Sequence, residues 1–375
     1  NINGAKDLFK YSKIKPQYQQ VIKMIEKIRE KNIWDTLSET DLPIVLYGMG
    51  DGADMVISAL EERNIKFADI FASDAFVRGQ SFHGKRVKTY KETEETYEDF
   101  FIVMCFAVRD DKTIELVKKM AAKHPLVSPN VPIVNDGLFT REYIEKHDKE
   151  FDFAFSLLAD EESRKNYLDI LNFKVSGKIE YLFSAEKEKS FVYKNILGAN
   201  GESVFIDLGA YDGDTVKEFC ESTSGEYKKI YAFEADEKNF KKLQKNTAEF
   251  QNIELYNYAA WDKNEMLHFE KRNARSSHLS SHGSAAVEAH SVDELIDFAT
   301  ILKMDIEGSE ARAIEGAKKL ISVHKPSLYI CAYHRNCDMF DLPIRINKIC
   351  PDYKFYFYHH KYIPAWESNF YGVVK

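Results

Sequence analysis

The stretch Phe205-Ile206-Asp207-Leu208-Gly209-Ala210-Tyr211-Asp212-Gly213-Asp214-Thr215 decides how the second half of the chain is interpreted. It predicts a buried strand, a tight glycine turn and a helix that begins at Asp214. Open α/β sheets bind ligands at the carboxyl end of such a strand, where Asp207 stands. The spacing Asp-x-Gly-x-x-x-Gly differs from the Gly-x-Gly-x-x-Gly of dinucleotide sites, and no Gly-Lys-Ser/Thr follows to hold phosphate. This acidic turn favours a ligand that bears an ammonium and a sulfonium centre.

A second carboxylate follows at the spacing expected of a nucleoside site. The next predicted strand, 229–233, leads into Glu234, 21 residues beyond Gly213. At this point αβ nucleotide sites place the carboxylate that accepts hydrogen bonds from ribose hydroxyls. The two elements together predict a pocket for an adenosine with free ribose hydroxyls and no phosphate, which fits S-adenosylmethionine.

The length and the order of elements predict several domains. A chain of 375 residues suggests two or three of them, and strands that alternate with helices predict mostly parallel, doubly wound α/β sheets. We predict an N-terminal helical segment over 1–40, a Rossmann-like αβ domain over 41–137, a helical connector over 138–197 and a second αβ domain over 198–375. Apolar runs at 353–358 and 370–374 predict an antiparallel pair of strands at the edge of the last sheet.

The first αβ domain has its own glycine turn, Gly48-Met49-Gly50-Asp51-Gly52, between a strand over 44–47 and a helix over 53–63. The carboxylate that a nucleotide site needs for ribose is poorly placed, because Ser73-Asp74 follows the second strand slightly late. We therefore interpret this turn as part of a scaffold or assembly domain rather than as a nucleotide site.

Residues 203–375 resemble the FkbM family of S-adenosylmethionine-dependent methyltransferases. The matching pieces are 205–215, Phe233-Glu234-Ala235, Lys303-Met304-Asp305-Ile306-Glu307-Gly308-Ser309-Glu310, and Lys325-Pro326 leading to Tyr333-His334. The resemblance implies a class I methyltransferase fold, with a seven-stranded sheet that ends in an antiparallel hairpin. It also implies O-methylation of a hydroxyl on a sugar, glycan or small metabolite. The upstream half is similar to the Rossmann-like domain found ahead of some such methyltransferases.

The resemblance implies a set of residues that bind S-adenosylmethionine. Those on the glycine turn and after the second strand are Asp207, Gly209, Tyr211, Asp212, Gly213, Thr215, Glu234 and Ala235. Ala260, Trp261 and Asp262, which follow the third strand, are expected near the adenine.

Three further residues, Asp305, Glu307 and His334, are candidates for catalysis. Alternation along a strand would place Lys303, Asp305 and Glu307 on one side, with both carboxylates at the strand's carboxyl end. Close carboxylates raise one another's pKa, which suits a general base that takes a hydroxyl proton. In the alternative interpretation, Glu307 and Glu310 cap the following helix and Lys303 neutralises them.

His334 follows the next predicted strand and opens onto the same crevice. It would act as a base or orient the acceptor hydroxyl, or it would be a hydrogen-bonded histidine without a catalytic role. A metal site made by His334 with Asp338, or with His359-His360, has no supporting ligand spacing, so we predict no metal.

Composition excludes several classes of partner. Lys and Arg number 52 against 60 Asp and Glu, and this net charge of −8 argues against a nucleic-acid partner. The longest apolar run, 100–108, is far below the roughly 18 residues of a membrane span, so no membrane partner is expected. Five cysteines without a Cys-x-x-Cys pair predict reduced thiols in a cytoplasmic protein.

Two other functions stay open at this point. One is an NAD-binding or nucleotide-sugar oxidoreductase with paired Rossmann units, which the glycine spacing at Gly209 and Gly213 opposes. The other is a non-catalytic protein that retains the methyltransferase fold, which the intact motif residues oppose. The polar stretch 276–284, with His278 and His282, would be a solvated loop or an acceptor-binding lid.

Overall fold

The computed structural model describes residues 24–132, 134, 136–270, 278–279 and 285–374. The predicted helical segment over 1–40 therefore lies largely outside the described residues. Its described part contains a 3-10 turn at Met24–Lys27 and helix α1 at Ile33–Glu39. Among the described residues, no helix is long and apolar enough to cross a membrane.

The first half of the chain forms a small parallel sheet in the strand order β2-β1-β5-β6. Its elements are β1 (Ile44–Tyr47), α2 (Asp51–Glu61), β2 (Asp69–Phe71), β3 (Ser81–Phe82), β4 (Lys85–Arg86), α3 (Tyr90–Thr96), β5 (Phe101–Met104), α4 (Asp111–Ala121) and β6 (Leu126–Val127). Strand β5 is shorter than the apolar run 100–108 suggested. Directly after this strand, Gly52 of α2 packs against the Cys105 carbonyl, where an added Cβ would lie 2.2 Å from the oxygen.

A group of helices follows, as the interleaved aromatic and charged residues predicted. They are α5 (Arg141–Lys146), α6 (Asp148–Ser156), α7 (Glu161–Ser176), α8 (Glu180–Ser184) and α9 (Lys189–Asn195). Helix α7 begins at an Asp160 cap that accepts from the Ser163 N–H and ends at Gly177, whose φ is +70°. It is buried on most sides, and Asn166 donates from its side chain to the Phe357 carbonyl 3.1 Å away.

The second half contains the predicted seven-stranded sheet, in the strand order β16-β17-β15-β14-β7-β8-β9. Its elements run as β7 (Val204–Leu208), α10 (Asp214–Ser222), β8 (Lys229–Phe233), α11 (Glu237–Asn246), β9 (Ile253–Tyr256), β10 (Ala259–Trp261), β11 (Glu265–Glu270), β12 (His278–Leu279), β13 (Ala285–Ser291), α12 (Val292–Leu295), β14 (Ile301–Met304), α13 (Glu310–Gly316), β15 (Ser327–Cys331), α14 (Asp338–Ile349), β16 (Tyr353–His359) and β17 (Ser368–Val374). Strand β17 is antiparallel to both of its neighbours. The α/β fold with a seven-stranded mixed sheet is therefore confirmed, whereas the domain boundaries stay predictions.

Two features of this half were not predicted. Strands β10 to β13 form a separate four-stranded sheet, in the order β10-β13-β11-β12, where the sequence indicated a polar loop. The predicted polar stretch 276–284 contributes only β12 to the described residues. The end of helix α13 at Gly316 was not predicted either, and Gly316 packs against the Trp261 carbonyl, where a Cβ would lie 1.9 Å from the oxygen.

Helix α14 escaped prediction because Pro343 lies inside it. Proline has no N–H and leaves the carbonyl four residues earlier without its helical partner. That carbonyl belongs to Met339, and the Tyr167 hydroxyl of α7 donates to it at 2.6 Å. A contact from the other half of the chain therefore compensates for the proline. No local sequence rule could have predicted helix α14, because that contact comes from a residue far away in the sequence.

Candidate functional site

The predicted site residues lie where four neighbouring parallel strands end. In the sheet order β15-β14-β7-β8, Asp207 belongs to β7, Glu234 follows β8, Asp305 follows β14 and His334 comes shortly after β15. Because the carboxyl ends of parallel strands share one edge, residues far apart in sequence meet here. The cofactor residues predicted on the glycine turn and at Glu234 belong to or follow β7 and β8, and those predicted for catalysis follow β14 and β15.

The glycine turn after β7 is held against both neighbouring strands. The N–H groups of Gly209 and Ala210 donate to the Phe233 carbonyl of β8 at 3.0 and 2.8 Å. Gly209 has a φ of +84°, and a Cβ there would lie 1.9 Å from the Asp305 carbonyl oxygen after β14. We predicted glycine here for ligand access, and the structure adds a second reason, which is the close approach of the neighbouring backbone.

Asp207 is fully buried, and its partner is a lysine from the neighbouring strand. Lys303 Nζ donates to Asp207 Oδ1 at 2.9 Å and lies 4.0 Å from Asp305 Oδ2. Burial disfavours the charge on Lys303, but the two carboxylates outweigh it and raise the pKa of Lys303 well above its usual value. We had considered Lys303 only as a partner of Glu307 and Glu310. The strand pairing Lys303↔Asp207 decides otherwise.

Glu234 connects the loops that follow β7 and β8. Its Oε2 accepts from the Tyr211 N–H at 2.9 Å, and its Oε1 accepts from the Asp236 N–H at 2.7 Å. Burial raises the pKa of Glu234 to about 7, although the two N–H groups act in the opposite direction. The carboxylate keeps free lone pairs, because an ionised carboxylate accepts up to about four hydrogen bonds.

The remaining predicted turn residues surround this pair of loops. The Tyr211 side chain is exposed, and Lys242 Nζ lies 5.4 Å from its ring centre. The Asp212 carbonyl accepts from the Asn246 side chain at 2.7 Å, and Gly213 has a φ of +92° next to Thr247. Thr215 is in the first turn of α10, and Ala235 follows Glu234 directly.

The residues predicted near the adenine lie in the second sheet. Ala260 and Trp261 of β10 pair with β13, and Trp261 Nε1 donates to Glu265 at 2.8 Å. Asp262 Oδ2 accepts from Arg312 at 2.6 Å, while its buried Oδ1 has no hydrogen-bond partner among the described residues. The Asn257 side chain donates to the Glu234 carbonyl at 2.8 Å and joins the start of this segment to the site.

The three residues predicted for catalysis come together. His334 Nε2 lies 3.4 Å from Asp305 Oδ1 and 3.8 Å from Glu307 Oε2, and the Tyr333 hydroxyl donates to Asp305 Oδ1 at 3.0 Å. Strand alternation does not explain this arrangement, because β14 ends at Met304 and Glu307 turns back with a φ of +53°. A turn at Glu307, and not strand alternation, therefore brings the Asp305 and Glu307 carboxylates to the same histidine, His334.

Charge on these side chains follows from their neighbours. Burial alone would lower the pKa of His334, but Glu310, Asp305 and Glu307 raise it to about 10. Burial would raise the pKa of Asp305, but Lys303, His334 and Tyr333 bring it below its usual value. The expectation that a neighbouring carboxylate raises the pKa of Asp305 is therefore wrong, and it is the pKa of Glu307 that burial raises. With its pKa raised in this way, the His334 ring is protonated at neutral pH and donates hydrogen bonds from its nitrogens. This favours the orienting role of His334 over the role of a base.

Two buried carboxylates of this region were missed as site residues. Glu310 Oε1 lies 3.0 Å from His334 Nδ1 and accepts from the Ile306 N–H at 2.9 Å. Asp338 accepts from the Arg335 N–H at 2.7 Å, and its burial raises its pKa to about 8. Glu310 closes the Lys-x-Asp-x-Glu-Gly-x-Glu block, so the motif itself was the available signal.

The first half of the chain reaches this part of the site. Asn336 donates from its backbone to Asp136 Oδ2 at 2.8 Å and from its side chain to the Gly137 carbonyl at 3.0 Å. Arg335 Nε donates to the Gly308 carbonyl at 2.7 Å, and a Cβ at Gly308 would lie 3.4 Å from Val134. The segment around 134–137 thus packs beside the loops that carry Glu307 and His334.

The other motifs considered for binding have structural partners. Both ring nitrogens of His359 are hydrogen-bonded, one with the Ser368 hydroxyl and one with the Tyr362 carbonyl. Both ring nitrogens of His360 are hydrogen-bonded as well, one with the Lys187 carbonyl and one with the Tyr371 hydroxyl. At the Gly48–Gly52 turn, a Cβ on Gly48 would meet the Phe106 ring at 2.7 Å. Packing therefore accounts for the glycine there, and the scaffold interpretation stays a prediction.

Comparison with known proteins agrees with this geometry. Residues 207–359 match the family model of the methyltransferase FkbM domain. The crystal structure of methyltransferase FkbM from Methylobacillus flagellatus KT is 23% identical, with a TM-score of 0.68 over 93% of this chain and 93% of that chain. At this identity the likeness shows a shared fold. A search of curated proteins gives no match.

Other methyltransferase structures are more distant. An rRNA methylase from Streptococcus thermophilus is 14% identical, with a TM-score of 0.34 over 50% of this chain and 93% of that chain. Fibrillarin from Aeropyrum pernix, crystallised with S-adenosyl-L-methionine, is 13% identical, with a TM-score of 0.31 over 48% of this chain and 68% of that chain. Neither likeness is close enough to support a conclusion. The family match and the shared fold do support one: residues 207–359 match the family model of the methyltransferase FkbM domain, and the chain has the same fold as the FkbM methyltransferase structure.

Proposed function

We propose that this protein transfers a methyl group from S-adenosylmethionine to a hydroxyl oxygen of a sugar, glycan or small metabolite. The observation that carries the proposal is the placement of two groups at one sheet edge. The glycine turn and Glu234 follow β7 and β8, and Asp305 and His334 follow the adjacent β14 and β15. Residues that bind the cofactor and residues that bind the acceptor would then be side by side, as group transfer requires.

The residues present fit this cofactor. Glu234 is a nearly buried carboxylate with spare acceptor capacity, which suits ribose hydroxyls. Asp207 Oδ2 and Asp262 Oδ1 are buried and have no hydrogen-bond partner among the described residues. Buried acceptors without partners are costly, and donors on a cofactor would satisfy them. S-adenosylmethionine supplies a methyl group on a positively charged sulfur.

The chain's own residues would orient and deprotonate the acceptor. In the transfer, the acceptor oxygen forms a bond to the methyl carbon, the bond from that carbon to sulfur breaks, and the hydroxyl proton must leave. Asp305 would accept that hydroxyl's hydrogen bond, and its carboxylate is contacted by the Tyr333 hydroxyl and by His334. The net charge of −8 supports a small-molecule or glycan acceptor over a nucleic acid.

The cofactor assignment predicts a pH-dependent affinity for S-adenosylhomocysteine. Ribose hydroxyls donate to the ionised form of Glu234, whose pKa is about 7, so binding should tighten as the pH rises. The affinity at pH 8 is expected to exceed that at pH 6 by about tenfold. Isothermal titration calorimetry at the two pH values measures this difference.

Two variants separate this effect from general effects of pH. Glu234→Gln should bind S-adenosylhomocysteine weakly and with little dependence on pH. Glu254→Gln removes a carboxylate of the neighbouring strand β9, which pairs with Lys229, and should behave like the unaltered protein. Equal affinity in Glu234→Gln and the unaltered protein would contradict the ribose assignment. NAD(H) should leave the melting temperature unchanged in either case.

The acceptor assignment predicts that Asp305→Asn retains the cofactor but loses turnover. The amide fills the same volume and still accepts from Tyr333, but it cannot take the hydroxyl proton. We expect methyl transfer to fall by about a hundredfold or more. The measurement is transfer of labelled methyl from S-adenosylmethionine to a panel of sugars and hydroxylated metabolites. Unchanged turnover would exclude Asp305 as the group that receives the proton.

A further inference from the structure

Asp305, Glu310 and His334 form a compact group at the carboxyl edge of the sheet, here called the His334 cluster. Each contributes one oxygen or nitrogen, and these three atoms all lie within 4.8 Å of one another. They come from three different elements, since Asp305 follows β14, Glu310 begins α13 and His334 follows β15. Two hard oxygens and one imidazole nitrogen are a ligand set that proteins use for divalent cations.

The hydrogen bonds of the cluster are incomplete. Glu310 is fully buried, and its Oε2 has no hydrogen-bond partner among the described residues. His334 is 3% exposed, and its Nδ1 lies 3.0 Å from Glu310 Oε1 without the alignment of a hydrogen bond. Buried polar atoms are almost always satisfied, so two such atoms in one cluster indicate a missing partner.

The charge around the cluster favours a cation as that partner. Two more carboxyl groups lie nearby, on Glu307 in the turn before α13 and on Asp338 in α14. Glu307 interacts electrostatically with His334, and Asp338 with Glu310. Of the nearby positive side chains, Lys303 donates to Asp207 and lies 4.0 Å from Asp305 Oδ2, and Arg335 Nε donates to the Gly308 carbonyl. Four carboxyl groups therefore surround a single histidine.

We propose that the His334 cluster binds one divalent cation through Asp305, Glu310 and His334. His334 binds it as a neutral imidazole, so its ring proton is released to water when the cation binds. The mixed oxygen and nitrogen set suits Mn²⁺ or Zn²⁺ better than Ca²⁺, which takes oxygen ligands. Glu307, whose side chain is 49% exposed and lies 3.8 Å from His334 Nε2, stands at the solvent side of the site. The sequence predicted no metal because it offered only the pairs of His334 with Asp338 or with His359-His360.

The consequence for catalysis rests on the proposed function. A hydroxyl that binds such a cation loses its proton more readily, because the cation stabilises the resulting oxyanion. In that arrangement the hydroxyl proton of the acceptor would pass to water. The acceptor oxygen would then form a bond to the methyl carbon while the bond from that carbon to sulfur breaks, which leaves a neutral thioether. The role of Asp305 would then be to hold the cation beside the acceptor oxygen.

Mn²⁺ binding, followed by the loss of the free-ion electron paramagnetic resonance signal, tests the site without any methyl transfer. The unaltered protein should bind one Mn²⁺ per chain, and Zn²⁺ should displace it. His334→Gln and Asp305→Asn should each weaken binding by at least about tenfold. Glu218→Gln is the matched control, since it removes a carboxylate that pairs with Lys189 away from the cluster, and it should bind Mn²⁺ normally.

The readouts separate this inference from the proposed function. Calorimetry with S-adenosylhomocysteine shows whether each variant is folded. No saturable Mn²⁺ binding by the unaltered protein, or equal binding by His334→Gln, overturns the cation site. Methyl transfer that continues after treatment with a chelator overturns only its catalytic role. Bound Mn²⁺ without any methyl transfer leaves the site standing and counts against the proposed function.

Discussion

Gly209→Ala is expected to destabilise the protein by about 3–6 kcal/mol and to abolish S-adenosylhomocysteine binding. The new Cβ would lie 1.9 Å from the Asp305 carbonyl oxygen and 2.8 Å from its carbon, and both atoms belong to backbone. A side chain could rotate away, but this backbone continues β14 and is fixed by the sheet. The φ of +84° adds the strain that any L side chain meets in this region.

Gly225→Ala is the matched control for this prediction. Gly225 has nearly the same φ, +80°, but a Cβ there would have no atom within 4 Å among the described residues. We expect a cost of about 1–2 kcal/mol from backbone strain alone. Urea unfolding gives both free energies, and equal values would mean that the contact with Asp305 has no energetic weight.

Lys303→Met is expected to cost about 3–5 kcal/mol of unfolding free energy. Lys303 and Asp207 have side-chain exposures of 2% and 0%, so water cannot solvate the carboxylate once its partner is removed. Breaking a buried pair leaves an uncompensated charge, and this penalty exceeds what the pair itself contributes. Urea unfolding measures it, with melting temperature as a second readout.

Two comparisons make this prediction specific. Arg312→Met breaks the Arg312–Asp262 pair, in which Arg312 is 59% exposed, and should cost less than about 1 kcal/mol. Adding Asp207→Asn to Lys303→Met removes the remaining charge and should recover at least half of the lost stability. A small effect of Lys303→Met would show that Asp207 is already neutral in the folded protein.

Much of the fold followed from local patterns in the sequence. The strands over 44–47 and 229–233 were predicted with their observed limits, and the terminal antiparallel pair was predicted close to its observed bounds. Short apolar runs between turn residues mark these elements, and such marks act within a few residues. The second sheet and α14 were not predicted, and the contact that compensates for Pro343 in α14 comes from Tyr167, in a distant part of the chain.

The sequence by itself indicated most residues of the candidate site, because the glycine turn, Glu234 and the Lys-x-Asp-x-Glu-Gly-x-Glu block are local patterns. Only the tertiary structure decided their partners. Lys303 and Asp207 are 96 positions apart, and they pair because β14 and β7 are neighbours in the sheet. Strand order is set by packing of the whole core, which no short pattern encodes. Strand order also brings Glu310 and His334 close to Asp305, because β14 and β15 are neighbours in the sheet.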